Sequence, residues 1–376
     1  MSIIYFDHAS TTKLDGRVLE KMLPYLTENY GNANSVHSAG RNAVKGLDEA
    51  RDIVASVLNA KFNEIYFTSG GTEGDNWALN GFTKMRGNKN KLVISSIEHS
   101  AMLKTAESLN SEGICLVKVS PNSKGIVEPN SFLKEVDENT YLTSLMFANN
   151  EVGTLEPIKE VCKIAHSKGS YFFTDAVQGV GALPIDVVDL NVDMLSISAH
   201  KFNGPKGVGA VYIKNGVKLG GQILGGHQER EKRGGTSNVA GAIGLAYALK
   251  YTKESMLEDI KYVTSLRDYF ITKMLNLNLN ISLNGDNLKR LPNNANLLFS
   301  GVNGESLLYQ LDLKGVCASL GAACSAGSIA PSHVLTEMGI SERDAKSSIR
   351  FTFGRENTFE EVDRVVNIIK DILQNN

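Results

Sequence analysis

Between residues 64 and 213 the chain alternates short apolar runs with polar or helix-periodic segments, and no other feature restricts its fold as much. The runs fall at residues 64–68, 92–95, 114–119, 142–148, 171–174 and 194–197, and they hold the branched and aromatic side chains that suit a sheet. The intervals between them are long enough for crossovers, which join parallel rather than antiparallel neighbours. The expected core is therefore α/β, a mostly parallel, doubly wound sheet. Upstream, Val18, Met22, Leu23 and Leu26 recur at helical spacing, as do Val44, Leu47, Ile53, Val54, Val57 and Leu58.

After about Tyr251 the pattern changes. Met256-Leu257-Glu258-Asp259-Ile260 opens an amphipathic helix running towards Met274, and residues 295–299, 316–319 and 349–353 read as strands of a smaller α+β unit. The Asn-rich run 275–287 is expected to be turn and loop. A length of 376 residues suits two domains, a large one at 14–252 and a small one at 253–376.

Composition narrows the partners. The 39 basic and 41 acidic side chains leave a formal charge of −2, which gives no sign of attraction to nucleic acid or to an anionic membrane. The first residues, Met-Ser-Ile-Ile-Tyr-Phe-Asp, lack the basic and apolar regions of a signal peptide, and no stretch is apolar for a bilayer's thickness. A soluble, cytoplasmic protein is expected, without a long docking tail after its final helix. Cys115, Cys162, Cys317 and Cys324 are too scattered for a disulfide framework, and no C-x-x-C or H-E-x-x-H spacing points to a metal. No strand is followed by G-x-G-x-x-G, so dinucleotide binding is poorly supported.

Four strand ends carry chemistry. Lys201 lies in a polar, glycine-rich turn between two apolar runs, beside Ser198 and His200, where an amine loses its proton more readily and can form a Schiff base with an aldehyde. Asp175 closes the bulky run Tyr171-Phe172-Phe173-Thr174. In open α/β sheets ligands bind outside the carboxyl ends of strands, so acid and lysine would project into one crevice. Phe67-Thr68-Ser69-Gly70-Gly71-Thr72-Glu73 adds glycines followed by a helix N-terminus, suited to a phosphate. Phosphate turn, acid and lysine together are what pyridoxal 5'-phosphate requires. His99 follows a strand and an acid at the same edge and is a candidate general acid/base.

These residues resemble the cysteine desulfurases of the NifS/IscS type, in the class V aminotransferase group of fold-type I pyridoxal-phosphate enzymes. The resemblance spans nearly the whole chain. It rests on Tyr5-Phe6-Asp7-His8-Ala9-Ser10-Thr11-Thr12, Gly31-Asn32 through His37, Ser69-Gly70-Gly71-Thr72-Glu73, Glu98-His99, Asn149-Asn150-Glu151, Asp175 with Gln178, Ser198-Ala199-His200-Lys201, Arg233-Gly234-Gly235-Thr236 and Gly321-Ala322-Ala323-Cys324-Ser325. Ala33-Asn34 stands where the family usually has Pro-Ser, and Gly74-Asp75 where Ser-Asn is usual.

The resemblance implies that residues 1–13 join the small domain, which carries the reactive cysteine. It implies His99 stacked on the pyridine ring, Gln178 on its phenolic oxygen, and Asn150 placing the ring or the substrate carboxylate. Gly71, Thr72, Ser198 and His200 would surround the phosphate, with Thr236 reaching it from the partner of a homodimer. Arg350 is the candidate clamp for the substrate carboxylate, because a planar guanidinium can grip it bidentately, and Arg355 competes for that role. Cys324, in a run of small residues that permit a swinging loop, would carry the sulfur, with Cys317 as a buried neighbour. The implied reaction converts L-cysteine to L-alanine, leaves a persulfide on Cys324, and passes sulfur to acceptors such as an iron–sulfur scaffold or a tRNA-thiolation enzyme. A selenocysteine lyase or aminotransferase of the same group is the nearest alternative, and a non-catalytic sulfur-relay scaffold the alternative from another class.

Overall fold

The computed structural model of the chain describes residues 3–320 and 330–374. Its strands are β1 (Ile4–Tyr5), β2 (Ile65–Thr68), β3 (Lys91–Ser95), β4 (Cys115–Val119), β5 (Thr140–Ser144), β6 (Tyr171–Asp175), β7 (Met194–Ser198), β8 (Gly209–Ile213), β9 (Ile281–Asn284), β10 (Asn294–Phe299), β11 (Val316–Cys317), β12 (Ser319–Leu320) and β13 (Ser348–Thr352). Seven of them form the central sheet in the order β2-β8-β7-β6-β5-β3-β4. Strands β3 to β7 pair in parallel, whereas β8 runs antiparallel to both β7 and β2. Every residue of β5, β7 and β8 is buried, as strands covered by helices on both faces require.

The β7–β8 hairpin is the one tight reversal in this sheet, and it positions Lys201. A short 3-10 turn, Ala199–Lys201, follows β7, and the chain returns at Gly209. A Cβ at Gly209 would lie 2.5 Å from Ile197 O and 2.7 Å from Gly70 Cα. Only glycine lets the turn before the helix Gly71–Lys84 press against the hairpin so closely.

A second sheet, β12-β13-β10-β9, is antiparallel, and β1 pairs in parallel with β11 beside it. Phe6, Leu266, Phe270, Leu297, Phe299, Ile349, Phe351 and Ile369 form its separate apolar core. The helix Val239–Leu275 serves both cores, with Ile243 and Leu249 in the first and Leu266 and Phe270 in the second.

Three local expectations differ from this structure. The long helix starts at Val239, well before Met256, so the expected boundary at 252/253 falls inside a continuous helix. Its first eleven residues are nearly all apolar and buried, and a helix apolar all round shows no amphipathic period. β9 occupies part of the run expected to be loop, where it forms an edge strand on β10. The expected strand 316–319 divides at Ala318, because β11 pairs with β1 and β12 with β13. Among the described residues no helix is long and apolar enough to cross a membrane.

Phe270 is fully buried, with ring centroids 4.9 Å from Phe351, 5.4 Å from Phe353 and 6.2 Å from Phe6. Phe270→Ala should destabilise the chain by about 3–5 kcal/mol, read as a lower denaturant midpoint at constant slope.

Candidate functional site

The carboxyl ends of β2, β6 and β7 open on one side of the central sheet. Beyond β2, Ser69 and Gly70 lead into the helix Gly71–Lys84, and Glu73 Oε2 accepts the Ser69 N–H at 2.7 Å. The first helical N–H groups have no intrahelical acceptor and point at whatever anion sits there. Thr11, Ser69, Thr72, Ser198, His200 and Lys206 line this cavity together with Gly70 and Gly71. A Cβ on Gly71 would meet Val177 Cγ2 at 2.6 Å, so the tight approach excludes any larger residue. Burial, with Lys201 and Lys206 nearby, pushes His200 down to about 4. Its ring is thus neutral near pH 7, with Nδ1 3.2 Å from Thr11 Oγ1.

β6 and β7 are parallel neighbours, with Asp175 in register with Ser196. Asp175 is only 6% exposed, and its Oδ1 accepts the Val177 N–H at 2.8 Å. Burial raises its pKa, while His99, the Val177 N–H and Lys201 oppose that rise. Lys201 Nζ donates to Ala9 O at 2.5 Å and to Ser10 O at 3.0 Å. Gln178 Nε2 donates to the same Ala9 carbonyl at 3.0 Å. His99 caps the helix Ser100–Ser111, its Nδ1 accepting the Ala101 N–H at 3.2 Å. That bond leaves Nε2 as the nitrogen available to carry a proton.

Arg350 extends from β13 and is 2% exposed. Its Nη1 donates to Asn150 O at 2.8 Å, and its Nη2 to Asp7 Oδ1 at 2.9 Å and Ser10 Oγ at 2.7 Å. Nε has no hydrogen-bond partner among the described residues. Arg355 instead pairs with Asp15 at 2.5 Å and lines a cavity reaching Lys201 and Gln178 from the small-sheet side. Thr236 is exposed and is not among the residues lining the cavity beside Gly70 and Gly71. Three residues earlier, Arg233 Nε donates to Glu73 Oε1 at 2.9 Å.

The structure thus gathers Gly71, Thr72, Ser198 and His200 about one cavity, and brings Lys201, Gln178, Asp175 and His99 to the adjoining strand ends. Cys324 lies outside the described residues. The described chain enters that interval from β12 and resumes at Ala330, after which His333 Nε2 lies 3.1 Å from Glu98 O. Cys317 is half-buried on β11, its thiol pushed up by burial and by Asp312 and Asp7. The roles of Thr11 and Lys206 in the cavity, and of Ala9 and Ser10 as acceptors, were not read from the sequence. Lys206 left a faint signal as a cation within the glycine turn, but a main-chain carbonyl leaves none.

These residues fit pyridoxal phosphate. An amine and a buried carboxyl sit on adjacent strand ends, and the glycine-lined anion cavity with its neutral imidazole lies next to them.

The chain matches the class V aminotransferase family over residues 4–365. It is 44% identical over 374 residues to the cysteine desulfurase IscS of Clostridium botulinum, covering 99% of this chain and 94% of that one. Among solved structures, a NifS-like protein superposes with a TM-score of 0.94 at 38% identity over the full length of both chains. SspA in complex with cysteine superposes with a TM-score of 0.83 at 33% identity, over 94% of this chain and 99% of that one. The chain belongs to the class V aminotransferase family and, within it, to the cysteine desulfurases of the NifS/IscS type.

Asp7→Ala would leave the buried Arg350 without its carboxylate partner. A loss of about 3–5 kcal/mol in unfolding free energy is expected, measured by denaturant titration of the apoprotein.

Proposed function

We propose that the protein is a pyridoxal-phosphate-dependent cysteine desulfurase that converts L-cysteine to L-alanine and takes the sulfur onto Cys324. The observation that carries this reading is Lys201 held beside Asp175 next to the phosphate cavity, in a chain 44% identical to a cysteine desulfurase along its length. Bound there, the cofactor supplies an electron sink for the carbon that loses its proton.

The chain's own residues divide the remaining work. Gly71, Thr72, Ser198 and His200 hold the phosphate, joined in a homodimer by Thr236 of the partner subunit. Asp175 keeps the ring nitrogen protonated, and Gln178 with Asn150 orients the ring. Lys201 and His99 carry protons to and from the substrate. Arg350 takes the substrate carboxylate. It contacts Asn150 and, through Ser10, the segment that holds Lys201; like Arg355, which pairs with Asp15, it also holds a carboxylate, that of Asp7. Cys324 as thiolate attacks the substrate sulfur; the new S–S bond forms as the Cβ–S bond breaks, and a proton delivered to carbon completes alanine. The persulfide is then available to acceptors such as an iron–sulfur scaffold or a tRNA-thiolation enzyme in the cytoplasm.

Two measurements test this. Borohydride reduction of the loaded protein followed by peptide mass spectrometry should label Lys201, and Lys201→Ala should lose the visible band; a label on another lysine would overturn the assignment. Cys324→Ser should keep the band yet lose persulfide and alanine formation by on the order of a hundredfold or more, because a hydroxyl is a poor nucleophile towards sulfur. Cys317→Ser should retain most activity.

A further inference from the structure

Two more acids lie enclosed behind Asp175. Glu98 is fully buried, and its Oε1 accepts the Met146 N–H at 2.9 Å, Ser95 Oγ–H at 3.1 Å and Ser144 Oγ–H at 3.4 Å. Its Oε2 is buried with no hydrogen-bond partner among the described residues. Asp75, on the helix Gly71–Lys84, is 1% exposed and accepts Ser196 Oγ–H at 2.8 Å. That serine is the register partner of Asp175. Both acids lie near enough to Asp175 to feel its charge, and to each other.

Three carboxyls in one dry space cannot all ionise. Asp175 is the member whose ionised form is favoured by both His99 and Lys201. Glu98 and Asp75 are held by hydroxyls and a backbone N–H instead. A buried oxygen without a donor is tolerable on a neutral acid and costly on a carboxylate. We propose that Glu98 is a positioning residue for the cofactor's acid: as a neutral carboxylic acid it confines the cluster's negative charge to Asp175, and its ionisation in alkali strengthens Asp175's hold on the ring-nitrogen proton. The part concerning the ring rests on the cofactor reading above; the protonation of Glu98 itself does not.

The groups facing Glu98 define the expected titration. Asp175 approaches from β6, Asp75 from the helix Gly71–Lys84, and Glu156 from the segment before the helix Ile158–Ser167. His99 follows it in the chain, and His333 meets its main-chain oxygen. Burial first, then the charge of Asp175, raises Glu98 from 4.5 to about 8. Folded Glu98 therefore keeps a proton that the unfolded chain has lost, and its stabilising contribution is present below pH 4.5 and lost as pH rises towards about 8.

The test compares wild type with Glu98→Gln from about pH 6 to about pH 9. In the apoprotein, denaturant stability should fall with rising pH less steeply in the variant than in the wild type. In the protein loaded with pyridoxal phosphate, the visible spectrum of the wild type should show an alkaline step that the variant lacks, while cofactor affinity changes by less than about tenfold. If the variant does not fold, Ser95→Ala takes its place. It removes a donor that favours ionised Glu98, so the alkaline step should move to higher pH. Identical apoprotein pH profiles in wild type and Glu98→Gln would overturn the neutral acid. An unmoved spectral step in either variant would overturn its action on Asp175. Failure to label Lys201 would instead remove the cofactor reading and leave the apoprotein result standing.

Discussion

The carbonyls of Ala9 and Ser10 hold the amine of Lys201, and much of the site depends on that attachment. The same short segment accepts Gln178 through Ala9 O, binds Arg350 through Asp7 and Ser10, and meets His200 through Thr11 and Thr12. Residues supplied by the segment after β6, by the β7–β8 hairpin and by β13 of the second sheet thus meet at Asp7 and at Ala9 to Thr12. Carbonyls orient the amine, and Lys201 in turn favours the ionised form of Asp175.

Electrostatic restraint is the second theme of the site. Burial shifts several of its titratable groups towards their neutral forms: His200 is pushed down while Asp75, Glu98 and Glu156 are pushed up. A crevice that removes water from so many groups makes each surviving charge act over a longer range than it would at the surface. The arrangement suits a binding site for a phosphorylated ring, whose own charges would dominate such a space.

The central sheet was legible because its parallel strands are short, apolar and separated by crossovers, and the strand-end placement of Asp175, His99 and Lys201 followed from that topology. The long helix from Val239 was hidden by its uniform burial, and β9 by an asparagine-rich composition that usually marks turns. Side-chain chemistry could be read as a spacing of residue types. Main-chain acceptors could not: nothing in the letters Ala9 and Ser10 tells that their carbonyls face an amine 192 and 191 residues away. The different neighbours of Arg350 and Arg355 were likewise hidden, since both lie in one short arginine-bearing run and the letters do not show that one meets Asp7 and the other Asp15.

The pairing of β1 with β11 has a consequence for the order in which the protein can be completed during synthesis. Once residue 213 has been made, the phosphate turn, the acid and the lysine all exist, and the central sheet has every one of its strands. The amino-terminal strand, though, pairs through Ile4↔Val316 and Tyr5↔Cys317, and Asp7 bridges to Thr352. Residues 4–7 are made long before their partners and are consequently among the later segments to find their seat. The segment that carries the carbonyl acceptors of the lysine amine is thus anchored by strands made more than 300 residues after it.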